Sequence, residues 1–270
     1  MMIRDVKDMV KMYKLLIRFS IRSRMQYRFN FWTGSFIAAF IAFMEFALLA
    51  VILSRFGTIQ GWSIAESAYL YSVLTLSKSI YRTFASDVHH LEQYLVSGNL
   101  DGLLLRPLPV LLVLMTQNVS IRFGELLLGF GMLAYSLGIL AGKGQIELWS
   151  AIPLTLLISL NGALLLFGIA LATAATGFWL TRISMLQNLT EDATHTAIRY
   201  PLTIFPGWLK GVLTIGLPVA FVNYMPALYI VRGEAGPWIL ALSAAASAAV
   251  VGAGALLWRT GMSRYQSTGS

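Results

Sequence analysis

The sequence predicts an all-α polytopic membrane protein. It should have six transmembrane helices, an N-terminal amphipathic interfacial helix and a broken or re-entrant segment before the last span. Three observations carry this. The 270 residues are 57% hydrophobic and only 12% charged, with a mean hydropathy of +0.70, whereas a soluble domain carries about 25% charged residues. Long apolar runs recur with short polar breaks, and a span needs about 20 such residues. All seven tryptophans (Trp32, Trp62, Trp149, Trp179, Trp208, Trp238 and Trp258) fall at or near the ends of those runs, where indole rings prefer the headgroup level. The expected organisation is an interfacial helix over 1–29, a six-helix domain over 30–260 and a cytoplasmic tail over 261–270, with no separate soluble domain.

The first element is amphipathic. Arg4, Lys7, Lys11, Lys14, Arg18 and Arg22 recur at spacings of three or four, on one narrow helical face. Val6, Met9, Val10, Tyr13, Leu16, Ile17 and Ile21 occupy the other side. A basic stripe beside an apolar face suits the plane of a bilayer containing anionic lipid; the other reading is a solvated arm folded on the bundle. The segment does not read as a cleavable signal peptide, because the apolar run after it is too long and ends in no small-residue cleavage site.

Spans follow at about Phe31–Leu53 and, more polar, Ser63–Phe84. After a polar island at Ser86–Pro109, a third span lies within Val110–Leu140 and a fourth at about Ala151–Leu180. A fifth is placed at about Met185–Phe205, with Glu191, Asp192, His195 and Arg199 turned inward. Residues 206–230 are apolar but broken by Pro218, Pro226 and glycines, as in a re-entrant segment packed in protein. The last span is about Pro237–Trp258. The row Ala241, Ala245, Ala249 and Ala253, with Ser243 and Ser247, predicts a small-residue face for close helix packing.

Charge gives the orientation. With the N-terminus inside, the inner side holds the Lys and Arg of the first helix with Arg82, Arg106, Arg182, Arg259 and Arg264. The outer loops hold only Arg55, Lys143, Lys210 and Arg232, with Arg199 near an outer end. This bias predicts that both termini and the island are cytoplasmic. It also explains the net charge of +8 by a membrane surface rather than by nucleic acid.

Catalytic and nucleotide-binding patterns fail. Gly138-Ile-Leu-Ala-Gly142-Lys143-Gly144 has one residue too few between its glycines for a P-loop, and Gly144 stands where Mg²⁺ needs Ser or Thr. The chain has no Cys, which removes thiolate metal sites and cysteine nucleophiles. His89 and His90 are adjacent and would point apart on a helix, so a metal site is not expected. Charged residues within spans are costly in lipid and should face protein or a water-filled path. Arg122 and Glu125, three apart, are expected to pair. Glu45 and Lys78 have no evident partner and, with Glu191, Asp192 and His195, are candidate path-lining residues.

The island SDVHHLEQYLVSGNLDGLLLRPLP carries a family likeness. Ser97-Gly98-Asn99-Leu100-Asp101-Gly102-Leu103-Leu104-Leu105-Arg106-Pro107, after a second span, resembles the S-G-x-L-D-x-x-L-x-R-P stretch of one subgroup of ABC-2-type permeases. Tyr200–Phe205 and Pro218–Ala227 are similar to that subgroup's late proline-rich segment. These permeases are membrane subunits of ATP-binding-cassette exporters. The resemblance implies two permease chains, related or identical, and two cytoplasmic ATPase chains at a bacterial cytoplasmic membrane. The island would be the coupling element, through Leu91, Glu92, Tyr94, Leu95, Gly98, Asp101 and Arg106. ATP and Mg²⁺ would bind the partner ATPase, with no cofactor on this chain. It also implies a transport route between two protomers, bordered by the first, second and fifth spans. Two other readings stay open: a carrier driven by an ion gradient, with Glu45 or the Glu191/Asp192 pair binding protons, and a membrane enzyme. No inverted repeat supports the first, and no nucleophile–base or metal constellation supports the second.

Overall fold

The computed structural model describes residues 6–26, 28–56, 58, 60–117, 119, 121–180 and 182–266. The expected helix start with Arg4 and the last tail residues lie outside these. Among the described residues the chain is helical and forms no strand.

Helix α1 (Val6–Met25) leads into α2 (Arg28–Phe56). Helix α3 (Ile64–Ala85) follows, and then the island, which folds as a 3₁₀ turn (Ser86–His90), α4 (Leu91–Val96) and α5 (Asn99–Leu104). Gly98 joins the last two at φ +70°, a left-handed conformation that favours glycine. Next come α6 (Val110–Gln117), α7 (Phe123–Gly142) and α8 (Leu148–Ala175). Then α9 (Ser184–Arg199), α10 (Gly207–Gly211), α11 (Tyr224–Ile230) and α12 (Trp238–Met262) close the chain. The third expected span is therefore two helices: its apolar helix is Phe123–Gly142, and Val110–Gln117 is a separate piece at the island end.

Among the described residues four helical stretches are long and apolar enough to cross a membrane: Phe29–Leu48, Phe123–Gly142, Leu148–Phe178 and Trp238–Met262. Gly207–Gly216 with Val219–Ile230 qualifies as a pair bent by 76°, where the re-entrant break was expected. A π-helical turn at Val212–Gly216 and Pro218 mark the bend. The second and fifth expected spans do not qualify on composition or length, since α3 is polar and α9 has only 16 residues.

Helix α3 is the hub. It packs against α2, α7, α8 and α9, and Tyr69, Leu70, Val73, Leu76 and Ser77 are all buried. Two of its hydroxyls bond to α8: Ser77 Oγ donates to Ser159 O at 3.0 Å, and Tyr69 and Thr155 share a 3.0 Å hydrogen bond. Helices α8 and α12 approach so closely that a Cβ on Gly254 would lie 3.0 Å from Gly168 O. The small-residue face is thus corrected. Ser247 and Gly254 meet α8 and Ser243 is buried, while Ala241, Ala245, Ala249 and Ala253 are exposed.

The two ends of the bundle are chemically distinct. At one end α1 docks on α6: Tyr13 Oη donates to Phe84 O (3.0 Å), and Ser20 Oγ accepts from Val119 N (3.0 Å). Tyr13, Leu16, Ile17 and Ile21 are half-buried there, and Lys11, Lys14, Arg18 and Arg22 are exposed on the opposite face. Leu15 and Phe19 are exposed beside the basic stripe, so α1 is both a docked arm and amphipathic. The chain's end returns to the same place, with Tyr265 Oη donating to Asp101 Oδ1 at 3.0 Å. At the other end Ser63 and Glu66 form a capping box at the start of α3. Arg232 reaches Glu66 (2.9 Å) and Gly61 O and lies 4.2 Å over the Trp62 ring, anchoring the end of the bent segment.

Candidate functional site

Two places gather the charged residues of this apolar chain: a cavity between α2, α3, α7 and α9, and the island below it.

The cavity has a volume of about 220 Å³ and is lined by Glu45, Tyr71, Lys78, Arg122, His195 and Arg199, among others. Helical periodicity assembles it. Tyr71, Lys78 and Arg82 share one face of α3, and Glu191, His195 and Arg199 recur every four residues on α9. The site is consequently a ladder along the bundle axis, about 16 Å from Arg82 to Tyr71 at the helical rise.

Each carboxylate of the ladder has a guanidinium partner. Arg122 at the start of α7 pairs with Glu125 one turn later at 2.9 Å, as the spacing predicts. Arg82 of α3 pairs with Glu191 of α9, and the histidines His89 (3.2 Å) and His195 (3.5 Å) flank the same carboxylate. Higher up, Arg199 pairs with Glu45 at 2.8 Å. The Tyr71 hydroxyl lies 3.0 Å from Glu45 and 2.8 Å from Ala42 O. Burial, then the charges of Arg82 and His90, push His89 below its usual pKa. Lys78 sits among these pairs with no hydrogen bond or ion pair to any described residue.

A second, narrow recess of about 30 Å³ shares Lys78 and His195 with the cavity and continues between α3, α8 and α9. Gln187 and Thr194 line it, both buried, and neither the Gln187 Nε2 nor the Thr194 Oγ1 has a hydrogen-bond partner. Among the described residues no group of His, Asp and Glu is arranged to hold a metal ion.

Of the expected path residues, Glu45, Lys78, Glu191 and His195 meet here, and Asp192 does not. Adjacent helical residues point about 100° apart, so with Glu191 inward Asp192 is exposed. Tyr71 and Arg82 join them without a signal in the sequence, and Arg199 joins from the inward-turned polar side of the fifth expected span. For α9 the signal was present in the sequence, because Glu191, His195 and Arg199 keep an i, i+4, i+8 register. Arg199 is the last residue of α9, at the end away from the island, and its side chain turns into the bundle to Glu45.

The island is more inward-facing than its composition suggests. Leu91 is fully buried within its own chain, and Leu95 and Ile183 close over Gly177. Tyr94 Oη donates to Asp87 Oδ2 at 2.6 Å; burial and that carboxylate push the phenol's pKa up. Glu92 does not project toward water as a free charge. Its carboxylate accepts from Ile183 N (2.6 Å), Ser184 N and Ser184 Oγ (3.3 Å), which caps the N-terminus of α9. Asp101 is bonded to Tyr265. Arg106 is exposed and follows Leu104 and Leu105 (88% exposed) in the chain, and Val96 at the end of α4 is exposed as well (64%). The island thus exposes three apolar side chains, Val96, Leu104 and Leu105, together with the cation Arg106.

A family model described as ABC-2 family transporter protein matches residues 39–269. The chain belongs to the ABC-2 transporter family. The match runs from the middle of α2 through α12 and includes the whole cavity ladder and the island, leaving out α1. No curated protein and no solved structure matches the chain. Family membership makes the chain a membrane permease, from a class of transport subunits that are generally non-catalytic and generally work with ATP-binding subunits.

Proposed function

We propose that the chain is the transmembrane permease subunit of an ATP-binding-cassette exporter. It moves its substrate with ATP hydrolysed by a separate cytoplasmic ATPase chain, which binds the ATP and Mg²⁺. The observation that carries this is the island tip. Val96, Leu104 and Leu105 are exposed at the end of the bundle that also holds the basic stripe of α1. Exposed apolar groups edged by a cation suit docking into a protein groove better than bulk water. A rigid link leads from there to the cavity, because Glu92 on α4 caps the helix that carries Glu191, His195 and Arg199.

The functional unit is two permease chains with two ATPase chains, in a bacterial cytoplasmic membrane with both termini inside. Six spans complete this reading. Helix α3 is about 33 Å long at 1.5 Å per residue, and burial within the bundle compensates for its polarity. Helix α9 supplies about 24 Å, and residues 200–206 continue the crossing. The coupling contact falls on Val96, Leu104, Leu105 and Arg106, with Leu91, Glu92, Tyr94, Leu95 and Asp101 shaping the island from within. A carrier driven by protons is less well supported, since Glu45 and Glu191 are each held by an arginine.

The test is co-purification of the ATPase with permease variants. Leu105→Asp and Arg106→Glu should lose the ATPase and transport while remaining monodisperse in detergent. Full ATPase retention by both variants would refute the coupling assignment.

A further inference from the structure

Charge balance in the cavity points to what it takes. Glu45, Glu125 and Glu191 are matched by Arg199, Arg122 and Arg82, so among the described residues Lys78 has no carboxylate of its own in ion-pair contact, and Glu45 and Glu125 act on it only across the cavity. A charge in that setting is costly unless something neutralises it. Nearby stand two more unused groups: the Gln187 amide nitrogen and the Thr194 hydroxyl, both buried and without partners, line the narrow recess that meets the cavity at Lys78 and His195. At about 30 Å³ the recess has room for one small polar group, and the cavity beyond it has about 220 Å³ for the body to which that group is attached. Three unsatisfied donors around a space of that size are complementary to an acceptor-only group.

We propose that the cavity binds an anionic group of the transported molecule, a carboxylate or phosphate, with Lys78 as counter-ion and Gln187 and Thr194 as hydrogen-bond donors. This rests on the permease reading for the word "transported"; the anion site itself does not. Lys78 also lies between the lower pairs at Arg82 and Arg122 and the upper pair at Glu45 and Arg199, part-way along the ladder. An anion passing there can exchange onto the guanidinium groups on either side.

The chain has no cysteine, which allows a direct test on the full chain in neutral maltoside micelles. Ala42 lines the cavity, and Gln145 is exposed in a loop outside it. In Ala42→Cys the rate of labelling by N-ethylmaleimide is measured with dodecyl phosphate, inorganic phosphate or dodecanol, and Gln145→Cys is the control. Dodecyl phosphate should slow labelling at position 42 and not at 145, and dodecanol should do neither. Adding Lys78→Gln should raise the half-protecting concentration about tenfold or more, as expected when a desolvated charge pair is lost. Thr194→Val should raise it by a smaller factor.

Protection by inorganic phosphate as well would identify a free anion as sufficient; protection by dodecyl phosphate alone would identify an amphiphile's headgroup. Both outcomes support the site. Equal protection by dodecanol, or protection that survives both Lys78→Gln and Thr194→Val, would overturn it. Because no ATPase is in the assay, its result is separate from the coupling test above. Lys78→Gln should keep the ATPase, and Leu105→Asp should keep anion protection.

Discussion

Glu92→Ala removes the carboxylate that accepts from Ile183 N at 2.6 Å, from Ser184 N and from Ser184 Oγ at the start of α9. Loss of an N-cap side chain costs about 0.5–2 kcal/mol, and the negative charge at a helix N-terminus adds about 0.3–1 kcal/mol. Taking about 2 kcal/mol together, the first turn of α9 should open about 30-fold more often. Glu92→Gln keeps one acceptor oxygen and loses the charge, so about 1 kcal/mol and a fivefold effect are expected. The assay is hydrogen exchange read by mass spectrometry on the full chain in micelles. Peptides over 183–190 should exchange faster in the order Glu, Gln, Ala, while peptides from α12 stay unchanged. If Glu92→Ala leaves exchange over 183–190 at the wild-type rate, the cap carries no energy and the proposed link from island to cavity fails. The structure also changes what a charge reversal means. Glu92→Lys places a cation at the N-terminus of α9, so it perturbs the cavity helix directly and does not isolate the ATPase contact. Asp101→Lys likewise breaks the bond to Tyr265.

Two further outcomes are expected from packing and pairing. Gly254→Val should lower the thermal midpoint in micelles by the equivalent of about 1–3 kcal/mol, because its side chain meets the backbone of α8 at Gly168. Ala249→Val, one turn away on the exposed face, should leave the midpoint within error, and equal shifts would refute the packing face. Arg232→Ala leaves the buried Glu66 without its cation and should cost about 3 kcal/mol. An unchanged midpoint on unfolding would show that the latch at that end contributes nothing.

What the sequence determines by itself is whatever depends on near neighbours along the chain. Runs of apolar residues mark α2, α7, α8 and α12 because hydrophobic length is a local property. The bend near Pro218 is legible because proline and glycine act on their own backbone. The Arg122–Glu125 pair is set by an i, i+3 spacing, and the Gly98 turn by one residue's freedom at positive φ. The island was likewise recognisable as a polar interruption between apolar runs, and Ser97–Pro107 carried the family likeness.

Only the tertiary structure decided the pairings across the bundle. Glu45 and Arg199 are neighbours because α2 and α9 both face α3, and nothing local to either residue says so. The same packing turned Glu92 and Asp101 inward, since carboxylates near orphan N–H groups and hydroxyls bind them in preference to waiting for a partner. It also set Asp192 outside and Glu191 inside, one residue apart, because the fold fixes the rotation of α9 about its axis. Polar α3 shows the same division. Its composition argues weakly for a span, and its place at the centre of the bundle lets Tyr69 and Ser77 find partners on α8. Lys78 is the remainder of that arrangement, the cation of the ladder that the fold surrounds with matched pairs and, among the described residues, leaves without a carboxylate in ion-pair contact.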